Sequence, residues 1–203
     1  PSIDINVGDP QCYIDEDEYC VTTGTQIDIL VDEQGCCDEL VNASYRIKNA
    51  SGWGPWINIP INDGSASTSF QFTEECNHTL EVYAEDCLGN SNSKTMLFHV
   101  DDSSPSISVD IGDPNCEVIS DEEYCVTTGT EIDILVEEEG CCGILVNASY
   151  RINGGQWINI PINDDFGSAS TSITFPDECN HTLEVYAEDC LGNSNSKTML
   201  FHV

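Results

Sequence analysis

An internal duplication constrains this chain more than any other feature. The segment from Cys76 to Val100 recurs without change from Cys179 to Val203. Upstream, Cys20 maps to Cys125 and the Cys36-Cys37 pair to Cys141-Cys142. Cys87 maps to Cys190, and Cys12 and Cys116 complete six cysteines in each copy. Near-identity at this scale means a repeated unit, which must bury its own core or stack on its neighbours. The expected domains are residues 1–102 and 103–203. The chain starts at Pro1-Ser2-Ile3-Asp4, and a similar segment recurs at Pro105-Ser106-Ile107-Ser108. It stops at Phe201-His202-Val203, where the first copy runs on into Val100-Asp101-Asp102-Ser103-Ser104-Pro105. Two units cut from a longer head-to-tail array is the expectation.

Each copy is expected to be all-β. Thr, Ile, Val and aromatic residues fill short alternating runs, and turn residues separate them. In the first copy strands are expected near residues 3–7, 26–31, 41–48, 56–61, 66–73, 79–85 and 95–100. Seven short strands in about 100 residues suit an immunoglobulin-like β-sandwich. Alternation assigns Ile3, Ile5, Val7, Ile27, Ile29, Val31, Tyr45, Ile47, Leu80, Val82 and Ala84 to the core. Trp56 and Trp157 are expected to cover that core.

Three motifs carry a family resemblance. Tyr150-Arg151-Ile152-Asn153-Gly154-Gly155-Gln156-Trp157 resembles the Y-x-I-D-G-G-x-W hairpin of bacterial and archaeal immunoglobulin-like surface repeats. Ala187-Glu188-Asp189-Cys190-Leu191-Gly192-Asn193 is similar to their A-x-D-x-x-G-N turn. Val100 to Pro105 resembles their V-D-x-x-x-P linker. The first copy matches the last two but replaces the Gly-Gly hairpin with a longer loop from Lys48 to Pro55. The resemblance implies two tandem immunoglobulin-like β-sandwich repeats, head to tail, of the kind found in non-catalytic stalks, adhesin shafts and surface layers stiffened by calcium. It names no ligand, since function lives in sites rather than folds. Six cysteines per repeat depart from the usual cysteine-free pattern.

Those cysteines point to an oxidising, extracellular compartment. Six in one unit allow 15 internal pairings. With the first strand running upward, Cys12, Cys20 and Cys76 fall at the top, and Cys36, Cys37 and Cys87 at the bottom. A strand separates the ends by about 17–20 Å, whereas a disulfide needs α-carbons within roughly 7 Å. Three at each end is odd, so one cysteine per end is left for the adjacent repeat. The specific expectation is Cys20–Cys76 and Cys37–Cys87 within the unit and Cys12 to Cys141 between units. The equivalents in the second copy are Cys116, Cys125, Cys142, Cys179 and Cys190. If a strand is misplaced, all six pair internally instead.

Charge supplies the next constraint. The chain has 37 acidic and 5 basic residues, for a formal charge of −32. That excludes a nucleic-acid partner, because phosphate contacts need Lys and Arg. No apolar run approaches the roughly 18 residues of a membrane span, so no membrane insertion is expected. Self-repulsion calls for bound cations. Several calcium ions are the expected cofactors, held by carboxylates, Asn and backbone carbonyls. The candidate ligands cluster at loops: Asp9, Asp15 and Asp17, with Asp113 and Asp121 in the second copy, and Asp32 and Asp86 at the opposite end. A second set is expected to converge at the linker: Asp101, Asp102, Glu137, Glu138, Asp189 and Asn193. No EF-hand loop is present. A salt-adapted surface that binds nothing specific has the same composition.

Glycosylation sequons occur at Asn42, Asn77, Asn147 and Asn180, with Asn77 and Asn180 best placed in a loop. A further one starts at Asn49. No Ser-His-Asp ordering, nucleophile elbow or phosphate loop is visible, and the chain is not expected to be an enzyme. The expected function is an exported structural protein at the cell surface. Its disulfide- and calcium-stabilised repeats would build a rigid fibre, stalk or filament with further copies of the same repeat, head to tail and laterally. An adhesin or carbohydrate-binding module is the alternative.

Overall fold

The computed structural model describes residues 1–35, 39–117, 122–163 and 167–203. Cys36, Cys37 and Asp121 lie outside the described residues. The chain divides into two compact units, Pro1–Asp102 and Ser103–Val203. Strands and turns make up both, with no helix among the described residues.

Unit 1 is a β-sandwich. One sheet holds β1 (Ser2–Val7), β4 (Ile27–Asp32), β9 (Ser65–Phe70) and β8 (Ile61–Asn62), in the order β1-β4-β9-β8. The other runs β2-β3-β11-β10-β5-β6, comprising β2 (Gln11–Asp15), β3 (Glu18–Val21), β11 (Ser91–Val100), β10 (Cys76–Asp86), β5 (Leu40–Asn49) and β6 (Gly52–Trp53). The short β7 (Ile57–Asn58) also pairs with β5.

Unit 2 repeats the plan. Its first sheet is β12 (Ser106–Ile111), β15 (Ile132–Glu137), β19 (Ser168–Ile173) and β18 (Ile162–Asn163). Its second is β13 (Asn115–Glu117), β14 (Glu123–Val126), β21 (Ser194–His202), β20 (Asn180–Asp189), β16 (Leu145–Ile152) and β17 (Ile158–Asn159).

Period-two alternation builds the core, because successive strand residues face opposite sides of a sheet. Ile27, Ile29 and Val31 on β4 meet Leu80, Val82 and Ala84 on β10, all buried. Each fully buried aliphatic side chain contributes about 1.5–3 kcal/mol. Phe72, Phe98 and His78 close one end of the core as a ring cluster. Phe72 lies 5.1 Å from Phe98 and 4.7 Å from His78 between centroids. A bulge opposite Glu85 and Asp86 lets Leu40 and Ala43, three residues apart, both face inward.

Three expectations need correction. Residues 9–25 are not a plain loop: β2 and β3 form a hairpin whose second strand pairs in parallel with β11. Nor does one strand span 56–61. The chain pairs at Ile57–Asn58 with β5, then crosses at Pro60 to pair at Ile61–Asn62 with β9. Proline has no N–H to give to a ladder, so it suits the switch between sheets. Ile59, 2 % exposed, fills the core at this crossing. Trp56 and Trp157 are 44 % and 45 % exposed and stand outside the core.

Candidate functional site

The outer face of the second sheet carries the exposed aromatic residues. Arg46, on β5, points outward because its neighbours Tyr45 and Ile47 face the core. Its guanidinium lies 4.3 Å from the Trp53 centroid and 4.5 Å from that of Trp56. Glu81, on the adjacent strand, meets the same guanidinium at 2.5 Å. Trp56 in turn packs edge-on against Tyr83. Unit 2 keeps the arrangement with one indole: Arg151 over Trp157 at 4.6 Å, Glu184 at 2.5 Å and Tyr186 edge-on. The hydrogen bond from Arg151 to Glu184 raises the guanidinium pKa. The phenols of Tyr83 and Tyr186 donate to Glu85 and Glu188 at 2.9 Å, which raises their pKa values.

The loop that distinguishes the two copies sits where β5 ends. In unit 2 the chain turns at Asn153 and Gly154, both at positive φ. Asn153 places its Nδ2 3.0 Å from Nδ1 of the buried His181, and its Oδ1 accepts the Thr182 N–H. In unit 1 Lys48 holds that register position, opposite Thr79, and the loop runs on through Gly52, at φ +109°. The corresponding histidine, His78, is 5 % exposed. Its Nε2 donates to the Glu74 carbonyl at 2.9 Å, while its buried Nδ1 has no partner. A cavity of about 320 Å³ opens there, lined by His78, Phe72, Trp53, Asn49, Ser51 and Glu74.

One end of each unit collects three cysteines. In unit 1 Cys12 faces Cys20 across the hairpin, Cys20 lies beside His99, and Cys76 lies opposite Val100 at the last rung of β11. Cys12, Cys20 and Cys76 are disulfide-bonded, as are Cys141, Cys142 and Cys190. Cys142 and Cys190 stand 3.6 Å apart between sulfurs. That exceeds the roughly 2.05 Å of an S–S bond, so they are not bonded to each other. Cys116, Cys125 and Cys179 are thiols. Cys116 and Cys125 face each other across their hairpin. Burial, and then the hydrogen bond with Cys116, raise the Cys125 thiol pKa. Cys87 is exposed, and its N–H donates to the Glu39 carbonyl.

Many expected calcium ligands are engaged with the protein itself. Asp86 is buried and accepts from the Leu88 and Asn90 N–H groups and from Asn90 Nδ2. Asp189 does the same with Leu191 and Asn193. The A-x-D-x-x-G-N motif is therefore a turn closed by its own aspartate. The Asn90 side chain, together with the backbone donors, holds the Asp86 carboxyl below the usual range despite its desolvation. Asp101 is 1 % exposed and donates its N–H to the Val21 carbonyl. Asp102 accepts from the Thr23 N–H and hydroxyl. Glu138 accepts the Gly140 N–H.

The remaining acidic candidates stand further apart. Asp9, Asp15, Asp17, Asp113 and Glu137 are exposed, and Asp32 is half-buried. Among the described residues of either unit taken alone, no three carboxylate, imidazole or thiol ligand atoms lie within 4.8 Å of one another. The carboxylates do not form a ready cage for calcium within a unit.

The sequon residues differ in access. Asn77 and Asn180 lie on β10 and β20 rather than in the expected loop; they are exposed, and their Oδ1 atoms sit 2.7 and 2.8 Å from Nδ1 of His99 and His202. Those imidazoles contact Glu18 and Glu123 through Nε2 at 2.7 Å. Asn42 and Asn147 are half-buried within β5 and β16. The sequence marks Arg46 and Arg151 only as counter-charges, His78 only as a structural or exposed histidine and Asn153 only as part of the hairpin motif. The paired Arg and Trp in both copies were the available signal for the first two.

No protein-family model matches the chain, and no curated protein does. Among solved structures it is similar to fibronectin(III)-like modules of Clostridium thermocellum CbhA, at 11 % identity and a TM-score of 0.34, covering 98 % of this chain and 93 % of that one. It is also similar to the C-terminal domain of the Streptococcus pyogenes antigen I/II-family protein AspA, at 10 % identity and a TM-score of 0.35, covering 99 % of both chains. A third likeness is to a Ca²⁺-stabilised, ice-binding adhesin of an Antarctic bacterium, at 14 % identity and a TM-score of 0.33. That match covers 99 % of this chain and 48 % of the adhesin chain, so this chain spans under half of its length.

Proposed function

We propose that this chain is a non-catalytic structural segment of an extracellular protein. Its immunoglobulin-like repeats, of the bacterial and archaeal surface type, join end to end with further copies of the same repeat to build a rigid fibre, stalk or filament. One observation carries this reading. The trio Cys12, Cys20 and Cys76 is wholly disulfide-bonded, whereas the equivalent trio Cys116, Cys125 and Cys179 is wholly reduced. Three cysteines at one end of a sandwich cannot all pair with one another. One must reach a sulfur elsewhere, and the opposite end of the same unit is too far. On this reading a neighbouring repeat supplies the missing partner.

The mechanics follow from that link. Each sandwich is a bead with its own core. A disulfide at every repeat-to-repeat contact removes hinge freedom, and each bridge contributes about 2–4 kcal/mol against unfolding. Six bonded cysteines support an oxidising compartment, hence secretion or surface display. Calcium enters as a counter-ion to the charge of −32. With the buried aspartates committed to their turns, calcium is held loosely by exposed carboxylates such as Asp15 and Asp17.

The test is covalent growth. The purified chain, oxidised in a glutathione buffer at rising concentration, should give a ladder of integer multiples on a non-reducing gel. Reductant should collapse the ladder, and C116S/C125S/C179S should abolish it. A single monomer band at every concentration would contradict end-to-end linkage.

A further inference from the structure

The cavity beside His78 is lined by residues of unit 1 alone. We infer that it is a binding site for one neutral sugar ring. Three observations converge on it.

The first is an orphaned buried atom. His78 donates through Nε2 to a backbone carbonyl, which can only accept. In the neutral ring Nδ1 is then a bare acceptor. It is buried and unpartnered, although leaving a buried polar atom unpaired costs about 1–3 kcal/mol. The second copy shows that the fold can satisfy it, since Asn153 Nδ2 does so for His181. The longer loop of the first copy gives up that bond and opens a cavity in its place.

The second observation is the lining. Trp53 is 43 % exposed, and Phe72 lies beside His78, so an aromatic surface adjoins the orphaned acceptor. Asn49, Ser51 and Glu74 supply polar groups held in place by the loop. Asn49 Oδ1 accepts the Ser51 N–H at 2.9 Å, and Asn49 Nδ2 donates to Glu74 at 3.2 Å. A volume of about 320 Å³ is at the small end of the roughly 300–1,000 Å³ of ligand pockets. It suits a single ring rather than an oligomer.

The third decides between two kinds of donor. A hydroxyl and an ammonium could each donate to Nδ1. Trp53 already carries the Arg46 guanidinium at 4.3 Å and the Lys48 ammonium at 6.0 Å. Glu81 offsets the Arg46 charge, but the Lys48 ammonium would still repel a further cation at this ring. A pyranose avoids that repulsion, placing its C–H face on the indole and, after a small shift of the rim that uncovers the buried Nδ1, a hydroxyl on that atom.

The experiment is an NMR titration of the full, isotopically labelled chain. The probes are the methyl glycosides of glucose, galactose, mannose, fucose and N-acetylglucosamine, with tetramethylammonium and ethanolammonium as cationic comparators. At least one glycoside should shift the Trp53 indole N–H and the His78 imidazole saturably. The expected dissociation constant is on the order of 1 mM, that of one ring with few contacts.

Two variants guard the result. W53A should weaken binding by roughly tenfold or more. Replacing residues 48–53 with Asn-Gly rebuilds the hairpin that unit 2 already folds, and should abolish binding while leaving the rest of the spectrum intact. No shift at His78 or Trp53 with any glycoside would overturn the inference. So would shifts that persist in the loop replacement, shifts confined to Trp56 or Trp157, or a response to the cations alone. The disulfide ladder tests linkage separately, so either claim can fail without the other.

Discussion

Arg46 stands over Trp56, its guanidinium carbon 4.5 Å from the ring centroid, on the solvent side of the sheet rather than the core side. Arg151 and Trp157 repeat the relationship at 4.6 Å. Each guanidinium thus covers an indole while its carboxylate partner holds it flat. Truncation of Arg46 removes contacts to two indoles and one ion pair, whereas truncation of Arg151 removes one of each. R46A should cost about 1–3 kcal/mol and R151A about 0.5–2 kcal/mol, with R46A the larger, taking roughly 0.5–1 kcal/mol per exposed cation–π contact and up to about 1 for the ion pair. Chemical denaturation of each variant measures this. Equal losses, or none, would mean that the stacks are incidental.

Acid sensitivity should trace to the turn after β10. Asp86 has its carboxyl pKa lowered in the folded state, chiefly by Asn90. A depressed folded pKa gives stability that is fully present above the unfolded aspartate value of about 3.9 and is lost as pH falls through the lower folded value. The melting temperature should therefore decline below about pH 4. D86N should start lower by several degrees at pH 7 and lose less on acidification. A D86N variant with the wild-type pH slope would contradict this account.

Glycan occupancy should divide by access. Asn77 and Asn180 are exposed near the start of β10 and β20, whereas Asn42 and Asn147 lie half-buried inside β5 and β16. Expression in a host with N-glycosylation, followed by peptide mapping, should find sugar at Asn77 and Asn180 and little at the other two. The reverse pattern would contradict the placement of these strands.

Much of this was legible from alternation alone. Ile27, Ile29 and Val31, and Leu80, Val82 and Ala84, are the core residues that period two implies. The hairpin of β2 and β3 was masked by the acidic run from Asp15 to Glu18, which reads as a solvated loop. The apolar stretch Tyr19-Cys20-Val21 was the signal for a strand. Trp56 reads as core on hydrophobicity, yet Ile59 takes the buried place because the chain changes sheets at Pro60. The pairing of Asn153 with His181, and its loss at His78, joins residues far apart in sequence. Only the folded register brings them together.

Calcium should act through general charge relief. With no three carboxylate, imidazole or thiol ligand atoms within 4.8 Å of one another among the described residues of either unit, calcium at millimolar levels should raise the melting temperature of the oxidised chain. Magnesium should achieve most of the same effect at equal ionic strength. Stabilisation by micromolar calcium with magnesium inert would point instead to a specific cage. No response to either ion would remove calcium from the account.

The most direct test of end-to-end linkage is a disulfide map of the oxidised chain. Digestion under non-reducing conditions with an acid-specific protease, followed by mass spectrometry, identifies which cysteine peptides travel together. One of Cys12, Cys20 and Cys76 should be joined to a cysteine from the opposite end of the following repeat. Cys116 and Cys125 should remain alkylatable in the monomer. A map in which every bridge closes within a single repeat would contradict that linkage.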